Sequence, residues 1–275
     1  MTTTAYVAHD PADVPEDRRR HREWLLGFVE LPPGGLAVDL GCGRGDDLRA
    51  LAARHADPAS RFVGLDAAAT AVAAARAAAA DARVAFDVAD LNGPLPFGDA
   101  SVDVVFTQNV VECLADPDAF AREVARVLRP GGVLVAAHWD FDTQVFDGGD
   151  KALVRRLVHA FADMRQPWMA YADGWMGRRL WGMFAPSEHF DGAVHARVLT
   201  NTTYLAPWYG HEMAASMRAL VRRGLAAAEE YARFLAGLER LAREGRYFYS
   251  ITGYVYVGRR RTPGPAAGVL ADGDV

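Results

Sequence analysis

Val38-Asp39-Leu40-Gly41-Cys42-Gly43-Arg44-Gly45 joins the end of an apolar strand to three glycines at alternate positions, with an acid just ahead of them. The strand begins at Leu36, after the turn-forming run Pro32-Pro33-Gly34-Gly35. Glycines here permit a tight turn and let the backbone approach a ligand where side chains would intrude. Asp46 and Asp47 follow at once. They suit the first turn of a helix, because short acids satisfy free N–H groups and favour the dipole there. A strand, a ligand-binding loop and a helix are expected in that order.

Charge narrows the ligand. A dinucleotide loop reads G-x-G-x-x-G and seats a pyrophosphate on the helix N-terminus. This loop reads G-x-G-x-G, and Asp39, Asp46 and Asp47 would repel such an anion. S-adenosylmethionine has no phosphate and carries an ammonium and a sulfonium, so acidic surroundings suit it better. Asp39 to Gly45 resembles, without a gap, the first motif of the class I S-adenosylmethionine-dependent methyltransferases, D/E-x-G-x-G-x-G after a hydrophobic residue.

The resemblance extends over residues 36–138. Arg61 to Asp66 reads as a second strand ending in an acid, placed to accept ribose hydroxyls, with Ala67 beside it; alone, that acid would serve NAD equally well. Val84 to Leu91 reads as a third strand, and the resemblance assigns Asp90 to the adenine amino group and Leu91 to the ring. Val102 to Thr107 is the fourth. Asn109, just after it, is expected to meet the cofactor through its backbone or amide. An amphipathic helix from Phe120, the run Leu128-Arg129-Pro130-Gly131-Gly132 and a fifth strand Val133 to Ala137 complete the pattern. Cofactor contacts are thus expected at Asp39, Gly41, Cys42, Gly43, Gly45, Asp66, Ala67, Asp90, Leu91 and Asn109. Cys42 reads as a small residue facing the cofactor, and Cys113 as core.

The fold that the resemblance implies is α/β: a Rossmann-like, seven-stranded, mostly parallel sheet in the order 3-2-1-4-5-7-6, with an antiparallel last strand and helical lid insertions. Residues 1–30 are expected to form an N-terminal helical lid segment and 31–140 the S-adenosylmethionine-binding core. Residues 141–246 would supply substrate-pocket and lid helices with strand six, and 247–259 the final core strand. The Pro, Gly and Ala tail, 260–275, has no core-forming pattern and is expected to be disordered.

Composition sets wider bounds. A chain of 275 residues that is 51% apolar can bury one substantial core. No apolar run reaches the roughly 18 residues of a membrane span, and the N-terminus lacks a basic and apolar leader, so a cytoplasmic location is expected. A net charge of −5 argues against a nucleic-acid partner. The cluster Arg18-Arg19-Arg20 with Arg22 reads as a solvated helix face. Two cysteines are too few for a disulfide framework or a zinc site, and no metal is expected. The alanine tract Ala67 to Ala80 reads as a helix on propensity alone.

Substrate identity must lie in the second half. Trp139, Trp168, Trp175, Trp181 and Trp208 are five of the six tryptophans. Trp139, Tyr171 and Trp175 are the expected rings of an apolar pocket beside the sulfonium, although most of these rings would pack inserted helices onto the sheet. Methyl transfer chiefly needs alignment of a nucleophile, and a base only when that nucleophile carries a proton. His138, at the end of strand five on the carboxyl edge, is the leading candidate for that base. His159, His189, His195 and His211 have less positional support, and Glu112 reads as structural. Asp140, Asp142, Asp147 and Asp150 make the following loop acidic, which could hold a cationic amine or simply be solvated.

The expected activity is transfer of a methyl group from S-adenosylmethionine to an O or N nucleophile of a small molecule, in specialised metabolism. Another use of the same cofactor, or a noncatalytic protein that binds it, is the alternative. A hydride-transferring oxidoreductase is disfavoured by the acidic, shortened loop. Methylation of a nucleobase amino group is disfavoured because Gln108-Asn109-Val110-Val111 stands where Asn/Asp-Pro-Pro-Tyr/Phe would. Sequence leaves the methyl acceptor and the oligomeric state open.

Overall fold

Near-continuous apolar runs make strands that are buried on both faces, which only a sheet covered on both sides can accommodate. The computed structural model, which describes residues 16–167, 169–170 and 174–262, places β1 (Leu36–Leu40), β2 (Arg61–Asp66), β3 (Val84–Val88), β4 (Val102–Gln108), β5 (Leu128–Phe146), β6 (Phe190–Asn201) and β7 (Tyr249–Arg260) in one sheet. Its order is β3-β2-β1-β4-β5-β7-β6. The first five strands are parallel, and β7 runs antiparallel to both β5 and β6.

The helices are α1 (Glu16–Leu26), α2 (Asp46–Arg54), α3 (Ala69–Ala78), α4 (Pro117–Val127), α5 (Lys151–Ala162), α6 (Met176–Phe184), α7 (Tyr209–Ser216), α8 (Arg218–Arg222) and α9 (Ala228–Arg243). Local chemistry starts several of them. Asp116 accepts the Ala119 N–H at 2.8 Å ahead of Pro117, and Asp150 accepts the Leu153 N–H at 3.0 Å. None of the described helices is long and apolar enough to cross a membrane.

The core follows the two faces of the sheet and a third cluster at its extended end. Val38, Leu40, Val105, Leu134 and Ala136 pack with Leu180 and Phe184 of α6 and with α4. Ala37, Phe62, Val104, Val135 and Val255 pack on the other face with Leu25 of α1 and Leu51 of α2. Phe146, Tyr249 and Ile251 gather α5, α7, α8 and α9 through Leu157, Ala214, Leu220, Phe234 and Leu238. The helical insertion expected as a lid therefore has a buried core of its own, built on the β5–β7 extension.

Three expectations need correction. Strand five does not end at Ala137: its pairing with β4 stops at Gln108↔Ala137, but β7 holds it from Val133↔Arg259 to Phe146↔Tyr249. A register shift after Asp140 is bridged by the Thr143 hydroxyl, which donates to the Asp140 carbonyl at 2.7 Å and accepts the Thr252 N–H at 2.9 Å. The segment from residue 260 begins ordered. Arg260 closes β7, and Arg261 donates its N–H to the His189 carbonyl and its Nε to Asp191; residues 263–275 lie outside the described residues. The Arg18 to Arg22 cluster is not merely solvated, because Arg18 pairs with Glu212 of α7 and Arg22 donates to Asp47 of α2 at 2.5 Å.

These contacts dock α1. Asp17, itself buried, accepts from the Asn201 amide at 2.7 Å and from the Tyr209 N–H at 3.0 Å. His21 stacks on Trp139 with ring centroids 4.0 Å apart, and its Nδ1 has no hydrogen-bond partner. Burial, with a smaller push from Arg197, lowers the His21 pKa to about 3. The helix-start glycine Gly45 is equally constrained: its φ is +73°, and a Cβ there would lie 2.2 Å from Cζ of the buried Phe86.

Two outcomes follow from these packings. The unfolded chain protonates its histidine below about pH 6.5 and the folded chain only near pH 3, so the His21 contribution is full above 6.5 and is lost as pH falls toward 3. Denaturant titrations near pH 7.5 and near pH 5 should show His21→Phe losing about 2 kcal/mol less than wild type on acidification; equal losses would refute a buried neutral histidine. Gly45→Ala should destabilise by more than about 2 kcal/mol, since strain adds to the left-handed backbone cost. Gly131→Ala, at φ +79° with nothing within 4 Å of its Cβ, should cost only about 1 kcal/mol.

Candidate functional site

The glycine loop is tied to the end of β2. Gly41 and Cys42 donate their N–H groups to the Leu65 carbonyl at 2.7 and 3.0 Å. Gly43 donates to Asp66 Oδ2 at 2.8 Å, and the other oxygen of Asp66 accepts the Ala68 N–H at 2.8 Å. A Cβ on Gly41 would run into Val110, whereas one on Gly43 would meet nothing within 4 Å. Gly43, at φ +53°, is thus the glycine that opens onto free space.

Around it sit carboxylates. Asp39, at the end of β1, is buried and held well above the usual carboxylate range by desolvation and then by Asp47 and Asp66. Burial also raises Asp47, opposed by the charge and hydrogen bond of Arg22. Crowded acids in a low-dielectric setting favour a cation, and an open, side-chain-free backbone favours close approach. Both properties fit a ligand with an ammonium and a sulfonium and no phosphate.

Other expected cofactor residues fall into place unevenly. Asp90 is exposed beyond the end of β3, and Asn92 holds it below the usual carboxylate range through its N–H at 3.0 Å and its amide at 2.9 Å. The Asn92 oxygen in turn accepts the Ala115 N–H at 2.7 Å. Ala67 is exposed in the turn into α3. Leu91 is buried in the cluster that contains Leu65 and Val110, so its side chain serves the core. Cys42 likewise packs into the core with Phe86, its thiol beside Gly64. Asn109, at φ +54°, accepts the Trp139 N–H at 3.1 Å and donates its own N–H to the Ala137 carbonyl. Its amide therefore fastens β4 to β5.

At the same edge the structure joins two residues read separately in sequence. His138 follows the last residue of β5 paired to β4, and Glu112 lies in a 3-10 turn, Val111–Cys113, after β4. His138 Nε2 is 3.6 Å from Glu112 Oε2, and its Nδ1 is 2.7 Å from the Trp139 carbonyl oxygen. The imidazole is fully enclosed, and desolvation pushes Glu112 up to about 7. The Glu112 carbonyl accepts the Ala170 N–H at 2.8 Å, so the segment after α5 covers this turn. His159 is exposed, His195 and His211 pack on Phe28 and Tyr204, and His189 precedes β6.

The aromatic expectations divide. Trp139 is buried between His21 and Tyr209 and docks α1; it is core because alternation along β5 turns it to that face. Trp175 is half exposed, donates its indole N–H to Asp142 at 2.9 Å and lies beneath the Arg178 guanidinium at 4.9 Å. Tyr171 and Trp168 lie outside the described residues. The acidic loop is not open to an amine. Arg178 already fills that place, with Nε and Nη2 at 2.6 and 2.7 Å from the fully buried Asp140 carboxylate. Asp147 bonds the Gly149 N–H and Asp150 caps α5. Among the described residues no group of three or more His, Cys, Asp and Glu side chains could hold a metal, and both cysteines are free.

Asn92 and Arg178 were missed, and Glu112 was read as structural. The Asp-x-Asn spacing signals the Asx turn at Asp90; nothing local signals the other two, whose partners are distant in sequence.

Known proteins resemble this chain in sequence and fold. A methyltransferase domain family matches residues 38–136. Trans-aconitate 2-methyltransferase of Methylobacterium radiotolerans is 30% identical over 200 residues, 72% of this chain and 70% of that protein. 27-O-demethylrifamycin SV methyltransferase of Amycolatopsis mediterranei is 34% identical over 131 residues, 47% of each. The fold resembles phosphoethanolamine N-methyltransferase 2 of Haemonchus contortus in complex with S-adenosylmethionine, with TM-score 0.53, 16% identity and coverage of 88% of this chain and 53% of that one. The chain spans about half the length of most curated relatives it matches, from 42% to 70%. With the sheet order, the glycine loop and its ring of acids, this similarity shows that the chain belongs to the class I S-adenosylmethionine-dependent methyltransferases.

Proposed function

We propose that the protein transfers the methyl group of S-adenosylmethionine to an oxygen or nitrogen nucleophile of a small molecule, in specialised metabolism and in the cytoplasm. The observation that carries this reading is Gly43, open to space and bonded to Asp66, which together with Asp39 and Asp47 forms a crowded set of acids. S-adenosylmethionine supplies an activated methyl group on a sulfonium, so the chain need only bind, orient and exclude water. Asp66 retains lone pairs beyond those used by Gly43 and Ala68, and these receive the ribose hydroxyls. Asp39 faces the ammonium end through charge, and Asp90, oriented by Asn92, takes the adenine amino group. The backbone of residues 41–45, Ala67 and Asn109 borders the ligand.

The acceptor belongs at the carboxyl edge beside His138, where a proton released by an O–H or N–H nucleophile is taken up. Relatives named for trans-aconitate and for a demethylrifamycin support a small organic acceptor. The net charge of −5 disfavours a nucleic acid.

Calorimetric titration with S-adenosylmethionine tests the first half of this reading. Wild type should bind at a single site, and Gly43→Asn, which tolerates the left-handed backbone, should lose at least tenfold in affinity while its thermal midpoint falls by only a few degrees. Asp66→Ala should also lose at least tenfold, with some loosening of the loop. Wild-type protein that releases no binding heat at any temperature tried would sink the proposal. Screening small hydroxyl, carboxyl and amine acceptors for S-adenosylhomocysteine formation then tests the second half.

A further inference from the structure

Just beyond β3 the hydrogen bonds of Asn92 fix the direction of an exposed carboxylate. Its backbone N–H at 3.0 Å and its side-chain amide at 2.9 Å both donate to Asp90, and both reach the same oxygen, Oδ1. The amide cannot be turned over without loss, because its own oxygen accepts the Ala115 N–H at 2.7 Å. A carboxylate only accepts and a backbone N–H only donates, so a side chain that bridges them needs a donor at one atom and an acceptor at the next. Asparagine has both. Aspartate, of the same size, would set one carboxylate against another.

A turn of this kind is common on protein surfaces, and by itself would explain the bonds to Asp90. The Ala115 bond is not part of such a turn. It reaches 23 residues along the chain, past the 3-10 turn Val111–Cys113, and Leu91 shares a buried cluster with Val110, Val111 and Leu114 of that segment. Asn92 therefore ties the segment after β3 to the segment after β4. The Ala89 N–H in turn donates to the Asp66 carbonyl at 3.1 Å, which sets Asp90 one strand over from the acid that receives the ribose.

We propose that Asn92 determines which purine the site accepts: by occupying Oδ1 of Asp90 it leaves Oδ2 as an outward oxygen that takes a 6-amino group and rejects a 6-oxo group. The proposal rests on the methyl-transfer reading for the purine beside Asp90, and on the hydrogen bonds for the direction of its carboxylate. Asn92 acts through Asp90 and is a positioning residue. Its two bonds also hold Asp90 below the usual carboxylate range, so at neutral pH the carboxylate has no proton to offer a 6-oxo group. Because Asp90 and Asn92 are exposed, water competes for Oδ2. Discrimination should be on the order of tenfold, far below the roughly ten-thousandfold of a fully desolvated polar site.

The test compares S-adenosylhomocysteine with S-inosylhomocysteine, its 6-oxo counterpart, by calorimetric titration of the full chain. Wild type should favour the adenine compound by about tenfold or more. In Asp90→Asn the donors of Asn92 still claim the one remaining oxygen, the outward atom becomes an N–H donor, and the preference should reverse. Asn92→Asp keeps an acceptor for Ala115 but repels Asp90, and should bring the two affinities within about threefold of each other. Equal binding of the two compounds by wild type, which needs no variant to detect, would overturn the proposal and leave the methyl-transfer reading standing. Asp90→Asn that still prefers adenine would overturn the assigned direction. Asn92→Asp that weakens both compounds by the same factor would show a merely structural role and overturn the proposal as well. Wild type that binds neither compound would refute the methyl-transfer reading and this proposal with it.

Discussion

The pairing of β5 with β7 is the constraint on which the rest of the molecule depends. For its first ten residues β5 belongs to the parallel, cofactor-binding half of the sheet; beyond Ala137 its described strand partner is β7. Because side chains alternate along a strand, the extension sends consecutive residues to opposite faces. Trp139 receives His21 and so seats α1, and Asp140 receives Arg178 and so seats α6. Phe146, at the far end, anchors the cluster of α5 and the helices between β6 and β7. One strand thereby sets the position of the N-terminal helix, the covering segment and the inserted helices relative to the glycine loop.

Electrostatics divides along the same line. On the loop side carboxylates crowd together with Arg22 as their neighbouring cation, leaving a basin suited to a positively charged ligand. On the β5 side the buried acid Asp140 is fully matched by Arg178, with bidentate geometry that offsets the desolvation of both ions. The crowded acids include Asp66, which bonds the open glycine, and the balanced one holds a helix. That contrast separates binding chemistry from packing chemistry more clearly than residue type does.

How much of this was legible in the sequence depended on range. The glycine loop, the acid at Asp66 and the first four strands are local patterns, and each formed close to where it was read. The length of β5 was only partly legible: Trp139, Phe141 and Val145 alternate with polar residues, but the partner that holds 138–146 lies more than a hundred residues later. Distance in sequence also hid Arg178 from Asp140 and His21 from Trp139. Leu91 and Cys42 show a different limit: a position inside a binding motif says where the backbone runs, and both side chains here are buried in the core. The approach of Glu112 to His138 was hidden as well, because it arises only when the ends of β4 and β5 lie side by side.

The three glycines of the loop answer to different masters. Phe86 occupies the space that a side chain at position 45 would need, and Val110 does the same at position 41. Selection for a well-filled interior would keep both residues even in a descendant that had lost its ligand. Position 43 is held only by its left-handed backbone, a smaller penalty than a collision in the core. A chain that matches the motif at its outer glycines therefore advertises ancestry and packing, whereas what occupies the middle position records whether the site is still in use.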